Sequence, residues 1–128
     1  MLDTNIVSDL IRNPHGAAAR RIARLGEGSV CISVIVAAEL RYGAARRGSP
    51  RLAELVEGVL AHIAVVPFDI PADAGYAALR TELESLGAPI GPNDLFIAAH
   101  ARALRLPLVT ADADFRSVPG LQVENWLG

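Results

Sequence analysis

The sequence predicts an α/β fold, a three-layer α/β/α sandwich around a parallel sheet of about five strands. Two observations indicate this class. Short runs of β-branched residues alternate along the chain with longer runs rich in Ala, Leu and Arg, which is the order of a βαβ chain. The short runs are apolar without alternation, as in strands that helices cover on both faces. With 128 residues, 52% of them hydrophobic, the chain can bury one core, so we treat residues 1–128 as a single domain.

Glycine and proline divide the chain into predicted elements, because both residues interrupt regular structure. The β-branched runs predict five strands, near Met1-Leu2, Val30–Ile32, Ala64–Val66, Pro107–Val109 and Leu121–Val123. The longer runs predict six helices, near Ile6–Arg12, Ala17–Leu25, Ile35–Arg46, Arg51–Ala61, Ala72–Leu86 and Leu95–Leu104.

Two serines mark predicted helix starts. Ser49-Pro50 combines a capping side chain with a proline in the first turn, which is typical of a helix N-terminus. By periodicity alone, Val30–Val36 is a single strand and only the residues from Ala37 onward look helical. We place the break at Ser33, where its hydroxyl can cap the following helix.

The composition excludes several classes of protein. The longest apolar stretch, Val30–Ala38, is interrupted by Ser33 and is far shorter than the roughly 20 residues that cross a bilayer. Asp3 lies where a secretion leader would be basic and then apolar, so we expect a cytoplasmic chain with no membrane partner. The single cysteine, Cys31, excludes an internal disulfide; we expect it to be an inert core residue.

The charges are unevenly placed along the chain. The net charge is −2, and all twelve basic residues are arginines. Residues 20–51 carry a local charge of +5 (seven Arg, two Glu), and residues 52–94 carry −6 (seven acids, one Arg). Arginine suits phosphate because its planar fork donates two hydrogen bonds at once. The alternative is that these charges only solvate helix faces.

Two acids follow predicted strands directly. Asp3 follows Met1-Leu2, and Asp112 comes shortly after the strand that ends at Val109. The carboxyl ends of parallel strands meet at one edge of a sheet, which is where sites usually lie in such folds. The alternatives are a helix cap for Asp3 and a simple turn residue for Asp112, with Asp114 as its competitor for any role.

The other two acids lie on apolar helices. Glu39 stands between Ala38 and Leu40, where a carboxylate is costly unless it is paired or binds a metal. Asp94 precedes a run that is apolar nearly all round. The alternatives are an ion pair of Glu39 with Arg41 or another arginine, and helix capping by Asp94.

The architecture would bring these four acids to one edge of the sheet. Two carboxylates about 5 Å apart repel by roughly 3 kcal/mol at an effective dielectric of about 20, so four together raise their pKa values or bind cations. Oxygen ligands select Mg²⁺ or Mn²⁺. Two such ions would cancel the four charges, and paired divalent ions suit in-line phosphodiester hydrolysis. The histidines do not compete for this site. His15 lies in a predicted turn, His62 ends a predicted helix, and His100 is six residues past Asp94 on a different helical face, so we expect surface or packing roles for them.

The acids and their neighbours resemble the motifs of PIN-domain ribonucleases, especially the VapC-type toxins of toxin–antitoxin systems. The resemblance spans nearly the whole chain in four motifs and a tail. These are Leu2–Ser8, Ile32-Ser33 with Ala38–Gly43, Ile90–Ala99, Val109–Phe115, and the tail Val118–Trp126. Only Met1 and Leu2 precede Asp3, where the family usually has more apolar residues; we expect a longer native chain, if one exists, to be more stable.

The resemblance implies a Mg²⁺- or Mn²⁺-dependent endoribonuclease. Asp3 and Asp94 would be the firmest metal ligands, Glu39 would complete the cluster, and Asp112 would be the fourth catalytic acid. The supporting polar neighbours would be Thr4, Asn5, Asn93 and Thr110. The implied partners are an RNA substrate, a cognate antitoxin that blocks the acidic pocket, and a second copy of the chain in a homodimer. The basic segment 20–51 would serve RNA phosphates or the antitoxin.

Two other functions fit parts of the pattern. A receiver domain or a Mg²⁺-dependent phosphatase also places an Asp after its first strand, but both normally use a lysine, and this chain has none. Asn5 also stands where such a phosphatase has its second Asp. The other alternative is an inactive RNA- or protein-binding module of the same fold, against which the presence of all four acids argues.

Overall fold

The computed structural model describes residues 1–127. In this part of the chain the helices are α1 (Thr4–Arg12), α2 (Ala17–Leu25), α3 (Val34–Arg47), α4 (Pro50–Leu60), α5 (Ala72–Ser85) and α6 (Pro92–Ala103). The strands are β1 (Cys31–Ser33), β2 (Ala64–Val66), β3 (Leu108–Val109) and β4 (Val123–Glu124). Short 3-10 helices cover Glu27–Ser29 and Ala113–Ser117.

The strands form two parallel pairs that the start of the chain connects. β1 pairs with β2, and β3 pairs with β4, both in parallel. Leu2 forms a parallel bridge with Val109 and donates its N–H to the carbonyl of Cys31 at 2.8 Å. The order across the molecule is therefore β2, β1, the segment around Leu2, β3 and β4. The fifth predicted strand, at Met1-Leu2, is a single bridge, so residues 1–127 contain four strands rather than five.

Side-chain caps explain where three of the helices begin. Ser33 accepts a hydrogen bond from the N–H of Ile35 at 3.1 Å, which confirms the predicted break between β1 and α3. Ser49 caps α4 in the same way through the N–H of Leu52 at 3.1 Å. Asp3 caps α1, and that helix therefore begins two residues earlier than the apolar pattern predicts.

Helix α6 begins three residues earlier than predicted. Pro92 occupies its first turn and Gly91 its N-cap, without a side-chain cap. A proline fits the first turn because the missing N–H would have no helical partner there. The sequence pattern put the start at Leu95 because the polar pair Asn93-Asp94 looks like a cap. The structure places that pair inside the first turn instead, so the alternative that Asp94 caps the helix is wrong.

The buried apolar residues form one cluster between the strands and the helices. Leu2, Ile32 and Leu108 contribute from the strand segments, and all three are fully buried. Burying each such side chain stabilises the fold by about 1.5–3 kcal/mol. The core therefore fixes the strand ends, and with them the residues that follow. No helix within residues 1–127 is long and apolar enough to cross a membrane.

Candidate active site

Asp3 is the most firmly held of the four acids. Its N–H donates to the carbonyl of Val109 at 2.8 Å, which fixes its backbone to the β3 side of the sheet. Its carboxylate accepts from the N–H of Thr4 at 2.8 Å and from the hydroxyl of Thr110 at 2.7 Å. Burial raises the pKa of Asp3 above its usual value, and the two hydrogen bonds oppose that shift. Asp3 is thus both a helix cap, as the alternative held, and a buried acid at the end of a strand segment.

Thr110 organises the neighbouring strand end. It is buried, and its oxygen accepts from the N–H of Asp112 at 3.0 Å while its hydroxyl donates to Asp3. The carboxylate of Asp112 accepts from the N–H of Asp114 at 2.9 Å and caps the following 3-10 helix. Asn5 completes this arrangement by accepting from the N–H of Ala111 at 3.2 Å. The two strand ends are therefore joined by hydrogen bonds between their polar residues.

Glu39 lies in the second turn of α3 and is half-buried. The hydroxyl of Thr4 donates to its carboxylate at 2.6 Å, and the amide of Asn93 lies 3.5 Å from its other oxygen. The expected alternative, an ion pair with Arg41, is wrong because Arg41 binds Glu57 through two hydrogen bonds of 3.0 and 2.9 Å. Glu39 is held by neutral donors and has no salt-bridge partner among residues 1–127.

Asp94 differs from the other three acids. It lies in the first turn of α6, is half-buried, and its carboxylate makes no hydrogen bond with residues 1–127. Burial raises its pKa to about 6, and the negative charges of Asp3, Asp112, Glu39 and Asp114 add to that shift. Both causes act on the charged form of Asp94, which burial and the neighbouring acids destabilise.

All four predicted acids line one open cavity of about 340 Å³. We call it the acidic cavity; its walls are Asp3, Thr4, Asn5, Ser8, Arg12, Glu39, Asp94 and Asp112. Asp114 lies outside this lining, so the geometry favours Asp112 over its competitor as the fourth acid. No salt bridge within residues 1–127 involves any of the four carboxylates.

The acidic cavity has the donor chemistry of a site for a hard divalent cation. Within the described residues, no three His, Cys, Asp or Glu side chains are arranged so that they could share one metal ion. Each carboxylate nevertheless has about four lone-pair positions. Asp3, Glu39 and Asp112 each use only one or two of them, and Asp94 uses none with residues 1–127. The set consists of oxygen ligands alone, which suits Mg²⁺ or Mn²⁺, and a cation would offset both the burial and the repulsion that raise the pKa of Asp94.

Two residues of the cavity wall were not predicted as site residues from the sequence. Ser8 and Arg12 line the acidic cavity together with Thr4. They follow Thr4 at intervals of four residues along α1, and such intervals place side chains on one face of a helix. This spacing is visible in the sequence, and it was the signal that could have identified both residues once Thr4 was assigned to the site.

A buried histidine supports the start of the helix that carries Glu39. His100 lies on α6, is 1% exposed, and its Nδ1 is 2.8 Å from the hydroxyl oxygen of Ser33. The oxygen of Ser33 also accepts from the N–H of Ile35, so one hydroxyl joins the start of α3 to the imidazole. Burial lowers the pKa of His100. The predicted packing role is right, and the contact also links α6 to α3.

The remaining residues that the sequence analysis considered lie away from the acidic cavity. His15 and His62 are exposed, as expected. Cys31 is half-buried at the edge of the core rather than inside it.

Comparison with known proteins identifies the family. The PIN domain family profile matches residues 1–121. The chain is 38% identical to the tRNA(fMet)-specific endonuclease VapC of Shigella flexneri, over 98% of this chain and 96% of that protein. It is 36% identical to Ribonuclease VapC2 of Haemophilus influenzae, over 99% of this chain and 97% of that protein. These values confirm the resemblance that the acidic motifs indicated.

Solved structures show the same relationship and confirm the predicted α/β class. VapBC2 from Rickettsia felis, bound to a DNA fragment from its promoter, matches with a TM-score of 0.89 and 35% identity, covering 98% of this chain and 97% of that one. VapBC-5 from Mycobacterium tuberculosis, a member of the VapBC family of toxin–antitoxin systems, matches with a TM-score of 0.64 and 32% identity, covering 75% and 79%. This chain therefore belongs to the PIN domain family, as a VapC-type ribonuclease toxin of a VapBC toxin–antitoxin system.

Proposed function

We propose that this chain is an endoribonuclease that hydrolyses RNA phosphodiester bonds in the acidic cavity with the help of Mg²⁺ or Mn²⁺. The observation that carries the proposal is the convergence of Asp3, Glu39, Asp94 and Asp112 on one cavity without a salt-bridge partner among residues 1–127. Four separate stretches of sequence supply these acids, and none of the four is neutralised. Such an arrangement destabilises the fold unless a cation binds there.

Asp3 and Asp94 would hold the cation, and Glu39 and Asp112 would complete its surroundings. A bound divalent cation supplies Lewis-acid chemistry that promotes the ionisation of water and stabilises charge on the leaving oxygen. The protein's own contribution is orientation. Thr110 holds the carboxylate of Asp3, and Thr4 holds that of Glu39, so that two of the four acids are fixed before substrate arrives.

The first test compares variants with purified RNA. We expect Asp94→Asn to lower cleavage by roughly 1,000-fold, because it removes a charge from the site where the phosphodiester reacts. Asp114→Asn is the matched control: it changes an exposed acid outside the cavity lining and should retain activity. The name of the Shigella flexneri relative makes tRNA(fMet) the first RNA to test. Equal cleavage by the unsubstituted chain and Asp94→Asn would contradict the proposal.

The partners follow from the same assignment. The matched structures are VapBC complexes, which supports a cognate antitoxin as the partner that restrains this nuclease in the cytoplasm. Expression of the chain alone should arrest growth, and co-expression of the adjacent reading frame should relieve the arrest. Growth arrest that persists in Asp94→Asn would show that the toxicity is not nucleolytic. We also propose a homodimer, which light scattering after size-exclusion chromatography would detect as a doubled mass.

A further inference from the structure

A second cavity opens beside the acidic cavity, between α1, α3 and α4, and has a volume of about 290 Å³. We call it the side groove. Thr4, Ser8, Arg12 and Glu39 line both cavities. A chain that crosses the acidic cavity therefore has a continuous wall to follow into the side groove.

The side groove combines an apolar floor with two arginines. Ile11, Leu40, Leu52 and Val56 provide apolar lining, and Arg12 and Arg47 provide the positive charges. Both arginines are exposed, and neither forms a salt bridge with an acid within residues 1–127. By contrast, Arg41, Arg80 and Arg102 each bind a glutamate at less than 3 Å. Arg12 and Arg47 are thus available to a ligand.

We propose that the side groove binds the nucleotide next to the cleaved bond of a single-stranded RNA. Arg12 and Arg47 bind its phosphate, and the apolar floor receives its unstacked base. This inference rests on the proposed ribonuclease function and adds a substrate-binding site to it. The volume is near the lower end of the ~300–1,000 Å³ that small-molecule pockets span, which suits one nucleotide rather than several. Single-stranded RNA presents bases that can leave the stack and enter such a pocket.

Charge favours RNA over a basic peptide as the occupant of the side groove. A peptide that neutralised the four acids would be basic, and Arg12 and Arg47 would repel it where it entered the side groove. An RNA strand carries a negative charge at each phosphate, and it would find a divalent ion in the acidic cavity and the two guanidinium groups in the side groove. Guanidinium groups bind phosphate through paired, charge-assisted hydrogen bonds.

Of the basic segment 20–51, the geometry assigns only one arginine to the two cavities. Of its seven arginines, Arg47 alone lines the side groove or the acidic cavity, whereas the neighbouring Arg46 lines neither. Arg12, which lines both, lies outside the segment. Neighbouring arginines should therefore differ sharply in their effect on RNA.

The test measures cleavage kinetics on a single-stranded RNA that the unsubstituted chain cuts. We expect Arg12→Gln and Arg47→Gln each to raise KM about tenfold. In Arg47→Gln, kcat should change less than about twofold, because Arg47 lines only the side groove and not the acidic cavity. The dependence of log binding on log salt should flatten by about 0.7 for each phosphate contact that is lost. Arg47→Lys, which keeps the charge, should recover part of the affinity.

Two control variants distinguish binding in the side groove from a nonspecific effect of lowering the protein's positive charge. Arg46→Gln and Arg24→Gln remove exposed charges at the ends of α3 and α2 and should leave KM unchanged. Equal increases in KM for all four glutamine variants would overturn the proposal, as would an unchanged KM in Arg12→Gln and Arg47→Gln. If those two variants cut RNA normally but lose binding to the product of the adjacent reading frame, the groove is a protein site and the proposal is wrong. Absence of any RNA cleavage by the unsubstituted chain would overturn the proposed function as well.

Discussion

The two sides of the acidic cavity are built differently. On the strand side, the carboxylates of Asp3 and Asp112 each accept hydrogen bonds from residues beside them, and Thr110 joins them. On the side of α6, Asp94 has no hydrogen-bond donor among residues 1–127, and its pKa is raised to about 6. The strand side is fixed by its own bonds, whereas the helix side holds a charge that nothing in the described chain stabilises.

The two sides of the acidic cavity therefore have different roles: the strand side positions its carboxylates, and the side of α6 provides the acid that gains most from binding a cation. Hydrogen bonds at the strand ends fix the position of two acids at little cost, because each bond also satisfies a backbone or hydroxyl group. The charged form of Asp94 is destabilised by burial and by the neighbouring acids, and a bound cation would stabilise it. Changes on the two sides should therefore affect stability in opposite directions.

The largest effect should come from the cation itself. Because a ligand that binds only the folded state stabilises it, Mn²⁺ at 100 times its dissociation constant should add about 2.7 kcal/mol to the free energy of unfolding. For a chain of this length that is a rise in melting temperature of about 10 °C. Asp94→Asn should lose most of this rise, and NaCl at equal ionic strength should not reproduce it. An equal rise in melting temperature for the unsubstituted chain and Asp94→Asn would show that the cation binds outside the acidic cavity.

The strand side is tested by Thr110→Val, which keeps the shape of the side chain but removes its hydroxyl. The carboxylate of Asp3 loses a buried donor and the N–H of Asp112 loses its acceptor, so the metal-free protein should lose about 2 kcal/mol of stability. In Asp94→Asn the metal-free protein at pH 7 should instead gain about 1 kcal/mol, a value that allows for screening by solvent. Chemical denaturation would measure both; a loss in Asp94→Asn would contradict the comparison.

The link between α6 and α3 should have a smaller effect. Ser33→Ala removes the cap of α3 and leaves Nδ1 of His100 without its hydrogen-bond partner. We expect a loss of about 1–2 kcal/mol of stability. Ser33→Thr, which keeps the hydroxyl, should retain most of the stability, and Ser49→Ala provides a matched loss of a cap that has no histidine partner. If both alanine variants lose the same amount, the bond to His100 adds nothing.

The smallest effect is the pH dependence of metal-free stability. The folded protein holds a proton on Asp94 up to about pH 6, whereas an unfolded aspartate releases it near its ordinary pKa of about 3.9. The folded state therefore binds more protons in this window, and stability should fall by about 1 kcal/mol as the pH rises through it. The lowered pKa of His100 acts in the opposite sense near pH 6. The difference between the unsubstituted chain and Asp94→Asn cancels the histidine, and that difference should shrink as the pH is lowered.

The sequence predicted the positions of the acids better than their surroundings. Asp3 and Asp112 could be placed because a strand end determines where the next residue lies, and Glu39 and Asp94 stood out because carboxylates are rare on apolar helices. Local pattern cannot show that Arg41 binds Glu57 rather than Glu39, since that choice depends on how α3 packs on α4. The contact of His100 with Ser33 joins residues 67 positions apart, and no periodicity in the sequence indicates it.

The most direct test of the account is the location of a bound Mn²⁺ ion by anomalous diffraction from crystals of the purified chain. We predict a peak inside the acidic cavity, in contact with the carboxylates of Asp3 and Asp94, and no such peak in Asp94→Asn crystals. If the RNA-cleaving protein shows Mn²⁺ only at other sites, or the ion stays in place when Asp94 is replaced, the four acids do not form the metal site.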